Sequence, residues 1–209
     1  MARIYNFAAG PAALPLPVLT RAQEELVEYR DKGMSIMEMS HRSKMYLEVF
    51  DAAEASLRKL MQIPSTYKVL FLQGGATQQF AAVPLNLLQT GKADYVDSGN
   101  FAHIAAGEAA RYGEIHVVAS SRADNYTYIP ALDSASFDAQ ADYFYITTNN
   151  TIYGTRYPAL PQTGNVPLVA DMSSNILSET YHVEDFGVIF AGAQKNIGPA
   201  GVTVVIVRE

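Results

Sequence analysis

Two amphipathic helices are predicted in the first third of the chain. Residues 17–32 begin with proline and carry apolar side chains at helical spacing, until Gly33 ends the pattern. After Ser40, a longer apolar stripe runs from Tyr46 to Met61 and stops before Pro64. The second stripe indicates a helix that packs one face against an apolar surface.

Beyond Pro64 the apolar segments become short, as is typical of strands separated by helices or loops. Strands are predicted at Lys68–Leu72, Tyr95–Asp97, Ile115–Ala119, Tyr143–Thr147, Leu168–Asp171, Val188–Ala191 and Val202–Val207. Helices are predicted from about Thr77 to Leu88, with Pro84 as a potential kink, and from about Phe101 to Tyr112. Alternating strands and helices predict an α/β fold, a three-layer αβα sandwich with a mostly parallel mixed sheet.

Composition narrows the classes of function. The net charge of -6 argues against binding to nucleic acid, which depends on clustered basic residues. The chain has no cysteine, so thiolate metal sites and a catalytic thiol are excluded, and no metal site is predicted. No segment approaches the roughly 18 uninterrupted apolar residues of a membrane span, and the N-terminus lacks the features of a signal peptide. A cytoplasmic protein is expected.

Lys195 and Asp171 are the strongest candidates for chemistry. Lys195 follows a buried strand and small residues, and burial favours the neutral amine that a nucleophile needs. Asp171 ends another strand, where a buried carboxylate can keep a pyridine nitrogen protonated. The plainer alternatives are a surface lysine in a Gly/Pro turn and an aspartate that caps a turn.

Other polar or aromatic residues follow strands, where ligands gather in α/β sheets. Gly74–Thr77 leads into a helix whose first N–H groups can meet a phosphate, although the same residues can simply connect strand to helix. Phe101 can stack on a flat ring or belong to the core, and Asn149–Thr151 can bind a ligand or form an Asx turn. His41 and Arg42 precede the second helix, where arginine can grip a carboxylate or phosphate or remain solvated.

As a set, these segments resemble the phosphoserine aminotransferase family, class-V aminotransferases of fold type I. The segments that carry the resemblance are NFAAGPAALP, SIMEMSHRS, FLQGGATQQFAAVPLNLL, ADYVDSGNFA, NNTIYGT, LVADMSSN and FAGAQKNIGPAGVTVVIVR. The resemblance implies pyridoxal 5'-phosphate as cofactor, a homodimer, and amino-group transfer between L-glutamate and 3-phosphohydroxypyruvate to give O-phospho-L-serine and 2-oxoglutarate. The sequence does not distinguish this reaction from a related one in pyridoxine biosynthesis, which acts on a phosphorylated hydroxythreonine.

The resemblance also implies a role for each site residue. Lys195 would bond covalently to the cofactor and carry the substrate α-proton, and Asp171 would face the pyridine nitrogen. The cofactor phosphate would be held by Ala76, Thr77 and Gln194, the ring hydroxyl by Thr151, and the ring face by Phe101. His41 and Arg42 would bind the substrate phosphate or the distal carboxylate of glutamate, in their own subunit's site or the neighbour's.

Some features depart from the family pattern. Several members have tryptophan where this chain has Phe101, and glycine-arginine where it has Ala76-Thr77. Members are also longer, with a C-terminal small domain that is absent here. We therefore expect residues 1–15 to be an N-terminal segment of the small-domain or substrate region, residues 16–209 to form a large cofactor-binding domain incomplete at its C-terminal end, and the chain to be weakly active or inactive.

Two other functions remain open from the sequence. One is another enzyme of fold type I, such as a serine–glyoxylate aminotransferase, which uses the same Asp and Lys pair; a cysteine desulfurase would need a thiol that this chain lacks. The other is a non-catalytic phosphate-binding module in which Lys195 has only a structural role.

Overall fold

The computed structural model describes residues 3–209 and contains a seven-stranded sheet with helices on both faces. The strands are β1 (Tyr67–Gln73), β2 (Lys92–Asp97), β3 (Glu114–Ser120), β4 (Phe144–Thr147), β5 (Leu168–Asp171), β6 (Val188–Gly192) and β7 (Val202–Arg208). The helices are α1 (Leu16–Glu24), α2 (Lys44–Met61), α3 (Gln79–Leu87), α4 (Asn100–Ala109) and α5 (Ala193–Asn196). Within residues 3–209, no helix has the length and hydropathy to cross a bilayer.

The sheet is mostly parallel, with one reversed strand. Its spatial order is β1-β7-β6-β5-β4-β2-β3. The pairs β2–β3, β2–β4, β4–β5 and β5–β6 are parallel, whereas β7 is antiparallel to both of its neighbours, β1 and β6. Six strands therefore run in one direction, which confirms the mostly parallel mixed sheet.

Alternate side chains of the strands fill two separate cores, one on each face of the sheet. On one face, residues such as Phe144 and Ile189 pack with Leu57 of α2. On the other face, Tyr145 and Phe190 belong to a cluster that includes the helical side chains of α3 and α4. Because both faces are covered, the strands read as nearly continuous apolar runs, and the three-layer prediction is confirmed.

The first predicted helix is too long. The structure ends α1 at Glu24, and residues 25–32 form turns in which Arg30 and Asp31 have left-handed φ angles of 47° and 56°. The apolar stripe that suggested a longer helix has little to pack against, since α1 buries no residue and Leu26 is 51% exposed. Without a partner surface, helical spacing alone does not hold a helix together.

The other predicted elements are confirmed, with small changes at their ends. The second helix begins at Lys44 instead of directly after Ser40, because the side chain of Ser43 caps it by accepting a hydrogen bond from the backbone N–H of Tyr46. The third predicted helix starts with a 3-10 turn at Ala76–Gln78 before α3. The short helix α5, which carries Lys195, was not predicted.

Candidate functional site

The carboxyl ends of five strands meet at one edge of the sheet. β1, β2, β4, β5 and β6 all run in the same direction, so the residues that follow them are brought to that edge. Phe101 lies in the first turn of α4 after β2, Thr151 follows β4, Asp171 ends β5, and Lys195 lies in α5 directly after β6. Four residues predicted from separate motifs therefore belong to one region.

The amine of Lys195 contacts two of the other predicted residues. Its Nζ donates a hydrogen bond of 2.6 Å to Oγ1 of Thr151 and lies 4.7 Å from the centroid of the Phe101 ring. The side chain is partly buried, and this burial lowers the pKa of Lys195 from its ordinary value, while the charge of Asp171 opposes the change. At a given pH, a larger fraction of this amine is therefore neutral than in an exposed lysine.

Asp171 is a buried carboxylate, only 4% exposed. Burial raises the pKa of Asp171, and hydrogen bonds from Ser173 together with the nearby charge of Lys195 partly offset the rise. Oδ1 accepts hydrogen bonds from the backbone N–H of Ser173 at 2.9 Å and from its hydroxyl at 2.6 Å. The same hydroxyl accepts a hydrogen bond from the N–H of Gly192 at 3.0 Å, so Ser173 joins the ends of β5 and β6.

The second oxygen of Asp171 is open to a donor. Both hydrogen bonds to the carboxylate within residues 3–209 go to Oδ1, and no described group donates to Oδ2. A buried carboxylate with a free oxygen is matched by a charged N–H donor, such as a protonated pyridine nitrogen. The chemistry of this residue therefore fits the cofactor that the sequence resemblance implies.

Ala76 and Gln194 lie beside each other at the ends of β1 and β6. A Cβ added to Gly192 would be 3.3 Å from Cβ of Ala76 and 2.9 Å from Oε1 of Gln194. That buried oxygen has no partner among the described residues, so the Gln194 amide can still bind an added group. Thr77 is exposed in the adjoining 3-10 turn.

The N-terminal segment also touches the lysine turn. The backbone N–H of Ala12 donates to the carbonyl of Gln194 at 2.8 Å. A Cβ added to Gly10 would lie 3.0 Å from Cγ of Lys195, closer than most real Cβ contacts. A residue without a side chain at position 10 thus allows this segment to approach Lys195.

Within the described residues, His41 and Arg42 form no hydrogen bond with this cluster. Both are exposed, in the turn that precedes α2. Within the described part of the chain, neither side chain forms a hydrogen bond or ion pair, and the backbone N–H of Arg42 donates to the hydroxyl of Ser40 at 3.3 Å. Their role in substrate binding stays a prediction.

The two asparagines after β4 serve the local structure. Nδ2 of Asn149 donates to Ser174 at 2.7 Å, and Nδ2 of Asn150 donates to Thr155 at 2.9 Å. These contacts shape the turn that presents Thr151. No cluster of metal-binding side chains occurs in residues 3–209.

Comparison with known proteins places the chain in a family. The profile of the class-V aminotransferases matches residues 4–209. The chain belongs to the class-V aminotransferase family. A phosphoserine aminotransferase of Bacillus cereus is 56% identical over 210 residues, covering 100% of this chain and 58% of that protein.

Solved structures of phosphoserine aminotransferases share the fold. Phosphoserine aminotransferase from Bacillus circulans subsp. alkalophilus is 53% identical, with a TM-score of 0.94 over 99% of this chain and 58% of the other. The pyridoxal-phosphate-bound phosphoserine aminotransferase from Trichomonas vaginalis is 39% identical, with a TM-score of 0.91 over 99% of this chain and 58% of the other. The chain thus spans about 58% of the length of these relatives.

Proposed function

We propose that this chain forms the cofactor-binding part of a phosphoserine aminotransferase that uses pyridoxal 5'-phosphate. The reaction moves an amino group between L-glutamate and 3-phosphohydroxypyruvate, giving O-phospho-L-serine and 2-oxoglutarate. The observation that carries the proposal is the pairing of a partly buried amine, Lys195, with a buried carboxylate, Asp171, whose Oδ2 is open to a donor. The similarity to named phosphoserine aminotransferases supports the choice of substrates.

Each site residue has a proposed part in holding the cofactor. Lys195 would bond to its aldehyde carbon, and Oδ2 of Asp171 would accept a hydrogen bond from the protonated pyridine nitrogen. The remaining contacts would come from Phe101 on the ring face, Thr151 at the ring hydroxyl, and Ala76, Thr77 and Gln194 at the phosphate. When bound, pyridoxal phosphate supplies an electron-withdrawing ring that stabilises negative charge on the α-carbon of an amino acid.

We infer that the described side chains would carry out the proton movements of a transamination. The lowered pKa of Lys195 favours a neutral amine, which would take the proton from the substrate α-carbon and return it during product formation. Thr151 would hold the amine in place through the 2.6 Å hydrogen bond. Asp171, ionised and held by Ser173, would keep the ring nitrogen protonated.

Substrate binding and assembly belong to the same proposal. His41 and Arg42 are exposed and without side-chain partners among the described residues, so they are available to bind a phosphate or distal carboxylate. Their site would belong to the same subunit or to the neighbour in a homodimer. A reaction on a phosphorylated hydroxythreonine would use the same groups.

Covalent trapping tests the proposal directly. The chain is incubated with pyridoxal phosphate, reduced with borohydride, digested and examined by mass spectrometry. We expect the adduct on Lys195, and its loss in Lys195→Arg but not in the control Lys92→Arg, which alters an exposed lysine at the start of β2. An adduct on Lys92 in place of Lys195 would overturn the site assignment.

The choice of substrate needs a second measurement. Phosphoserine or serine is added to the cofactor-loaded protein, and the absorbance of the cofactor is followed. Because this chain is expected to be weakly active, we expect phosphoserine to convert the cofactor slowly to its amine form and serine to convert it more slowly still. A preference for serine would point to another class-V aminotransferase.

A further inference from the structure

Asp97 is a buried carboxylate on which three side chains converge. It ends β2 and is 5% exposed. Its Oδ1 accepts a hydrogen bond from the hydroxyl of Tyr126 at 3.0 Å, and its Oδ2 accepts one from the hydroxyl of Ser120 at 3.0 Å. Oδ2 also lies 3.3 Å from Nδ1 of His103. Nε2 of His103 accepts from Arg122 at 3.0 Å, so Nδ1 carries the proton that His103 donates to Asp97.

One of these contacts leads to the ring beside the lysine amine. His103 lies in the first turn of α4, two residues after Phe101. The ring of Phe101 is 4.7 Å from Nζ of Lys195. Through His103, Asp97 is therefore attached to the helical turn that presents Phe101.

A second contact leads to the hydroxyl that binds the same amine. The ring of Tyr126 lies 5.0 Å from the ring of Tyr153. Tyr153 belongs to the turn at residues 150–154, which also carries Thr151, the acceptor of the Lys195 hydrogen bond. Asp97 is thus attached to both segments that contact the amine, although it does not contact the amine itself.

Two backbone features hold this arrangement in place. Asn125 and Tyr126 have φ angles of 54° and 56°, a left-handed conformation that is rare for a bulky residue and persists where surrounding contacts enforce it. It directs the Tyr126 hydroxyl to Asp97. In addition, a Cβ on Gly99 would lie 2.1 Å from Oδ1 of Asn150, so the two segments are in direct contact.

We propose that Asp97 is a positioning residue that fixes Phe101 and Thr151, the two residues in contact with the Lys195 amine, relative to each other. This inference rests on the proposed function, because it assigns Asp97 a role in the same site. Asp97→Asn removes the charge that gathers three donors and places an amide N–H among them. Both segments then lose a shared anchor.

The test measures hydrogen exchange by mass spectrometry in the cofactor-free protein. In Asp97→Asn we expect amides in the segments 99–104 and 149–154 to exchange roughly tenfold faster, with the rest of the sheet unchanged. We also expect the pH at which Lys195 becomes reactive to acetylation to move toward that of an exposed lysine. If Asp97 only stabilised the fold, Asp97→Asn would not change the pH dependence of Lys195 acetylation in a protein whose sheet amides exchange as slowly as in the parent.

Asp94 provides a matched control. It lies on the same strand, is 1% exposed, and accepts hydrogen bonds from His116 at 3.0 Å and from the N–H of Asp138 at 2.7 Å. Asp94→Asn should leave exchange in both segments and the reactivity of Lys195 unchanged. An equal effect from Asp94→Asn, or no effect from Asp97→Asn, would overturn the inference.

Single-contact variants keep the test decisive if Asp97→Asn does not fold. Tyr126→Phe should speed exchange in segment 149–154, and His103→Asn in segment 99–104. If both variants change both segments alike, or neither, Asp97 does not act as the shared anchor. Because these measurements need no cofactor, they are separate from covalent trapping, whose failure at Lys195 would remove the proposed function instead.

Discussion

We expect Ser173 to be the residue that stabilises the ionised form of the buried Asp171. In Ser173→Ala the carboxylate loses its 2.6 Å hydroxyl donor and keeps only the backbone N–H. The N–H of Gly192 loses its acceptor at the same time. Ser173 is 4% exposed, so water does not readily replace the missing hydroxyl.

The magnitude follows from these two losses. A hydrogen bond to a charged group contributes about 1.5–3 kcal/mol, and an unpaired buried N–H costs about 1–3 kcal/mol. The sum is reduced by local relaxation, so we expect Ser173→Ala to lower the free energy of unfolding by about 2–5 kcal/mol. In an Asp171→Asn background, the charged part disappears and about 1–3 kcal/mol should remain.

The loss should also depend on pH. Burial raises the pKa of Asp171, so its favourable contribution is complete below the unfolded pKa of about 3.9 and is lost as pH rises through the folded pKa. Removing the Ser173 hydroxyl, which favours the charged form, raises the folded pKa of Asp171 further. The difference in stability between parent and variant should therefore widen from acid to neutral pH.

Urea denaturation of the parent, both single variants and the double variant gives the required cycle, at about pH 5 and about pH 7.5. The parent serves as the reference at each pH, which removes the contribution of other titrating groups. If the cost of Ser173→Ala were the same at both pH values and in the Asp171→Asn background, the hydroxyl would act only through Gly192, and the account of Asp171 would be wrong.

Three further outcomes are expected. Burial raises the pKa of Asp142, but backbone hydrogen bonds from the loop between α3 and β2 outweigh it and lower the pKa below its ordinary value. Asp142→Ala should cost about 1–2 kcal/mol at neutral pH in urea denaturation, and this difference should shrink as pH falls through the folded pKa. Gly99→Ala forces a clash with Asn150 and should lower stability by about 1–3 kcal/mol, measured by thermal unfolding; an unchanged midpoint would contradict the packing. Since burial lowers the pKa of Lys195, its acetylation in the cofactor-free protein should begin at lower pH than that of exposed Lys59, and equal profiles by mass spectrometry would count against a partly buried amine.

The sheet could be predicted because each strand has a pattern that is visible within a few consecutive residues. Strands covered on both faces are nearly continuous runs of apolar residues, and Gly or polar turns separate them. The grouping of Lys195, Asp171 and Thr151 could also be predicted from the sequence, since residues that follow parallel strands meet at one edge of the sheet. Their roles were inferred from the chemistry of the residues together with the family resemblance, and they stay predictions.

Other features depend on partners that are distant in sequence. The helical spacing in residues 17–32 gave no sign that the second half lacks a surface to pack against. The anchor at Asp97 could not be predicted either, because its donors Ser120 and Tyr126 lie 23 and 29 residues away and look ordinary alone. The dual contact of Ser173 is similar, although a polar residue two positions after a buried aspartate is a usable signal.

The position of β7 has a consequence for how the protein is made. This strand follows the other six along the chain but lies between β1 and β6, and its Arg208 pairs with Tyr67 across 141 residues. Such long-range pairing requires a large loop to close, which slows folding. Until the ribosome has released β7, the edges of β1 and β6 have no neighbour there and are open to association with other chains. The segment carrying Lys195 connects β6 to β7, so both of its ends are held by the sheet only once β7 has paired with β6.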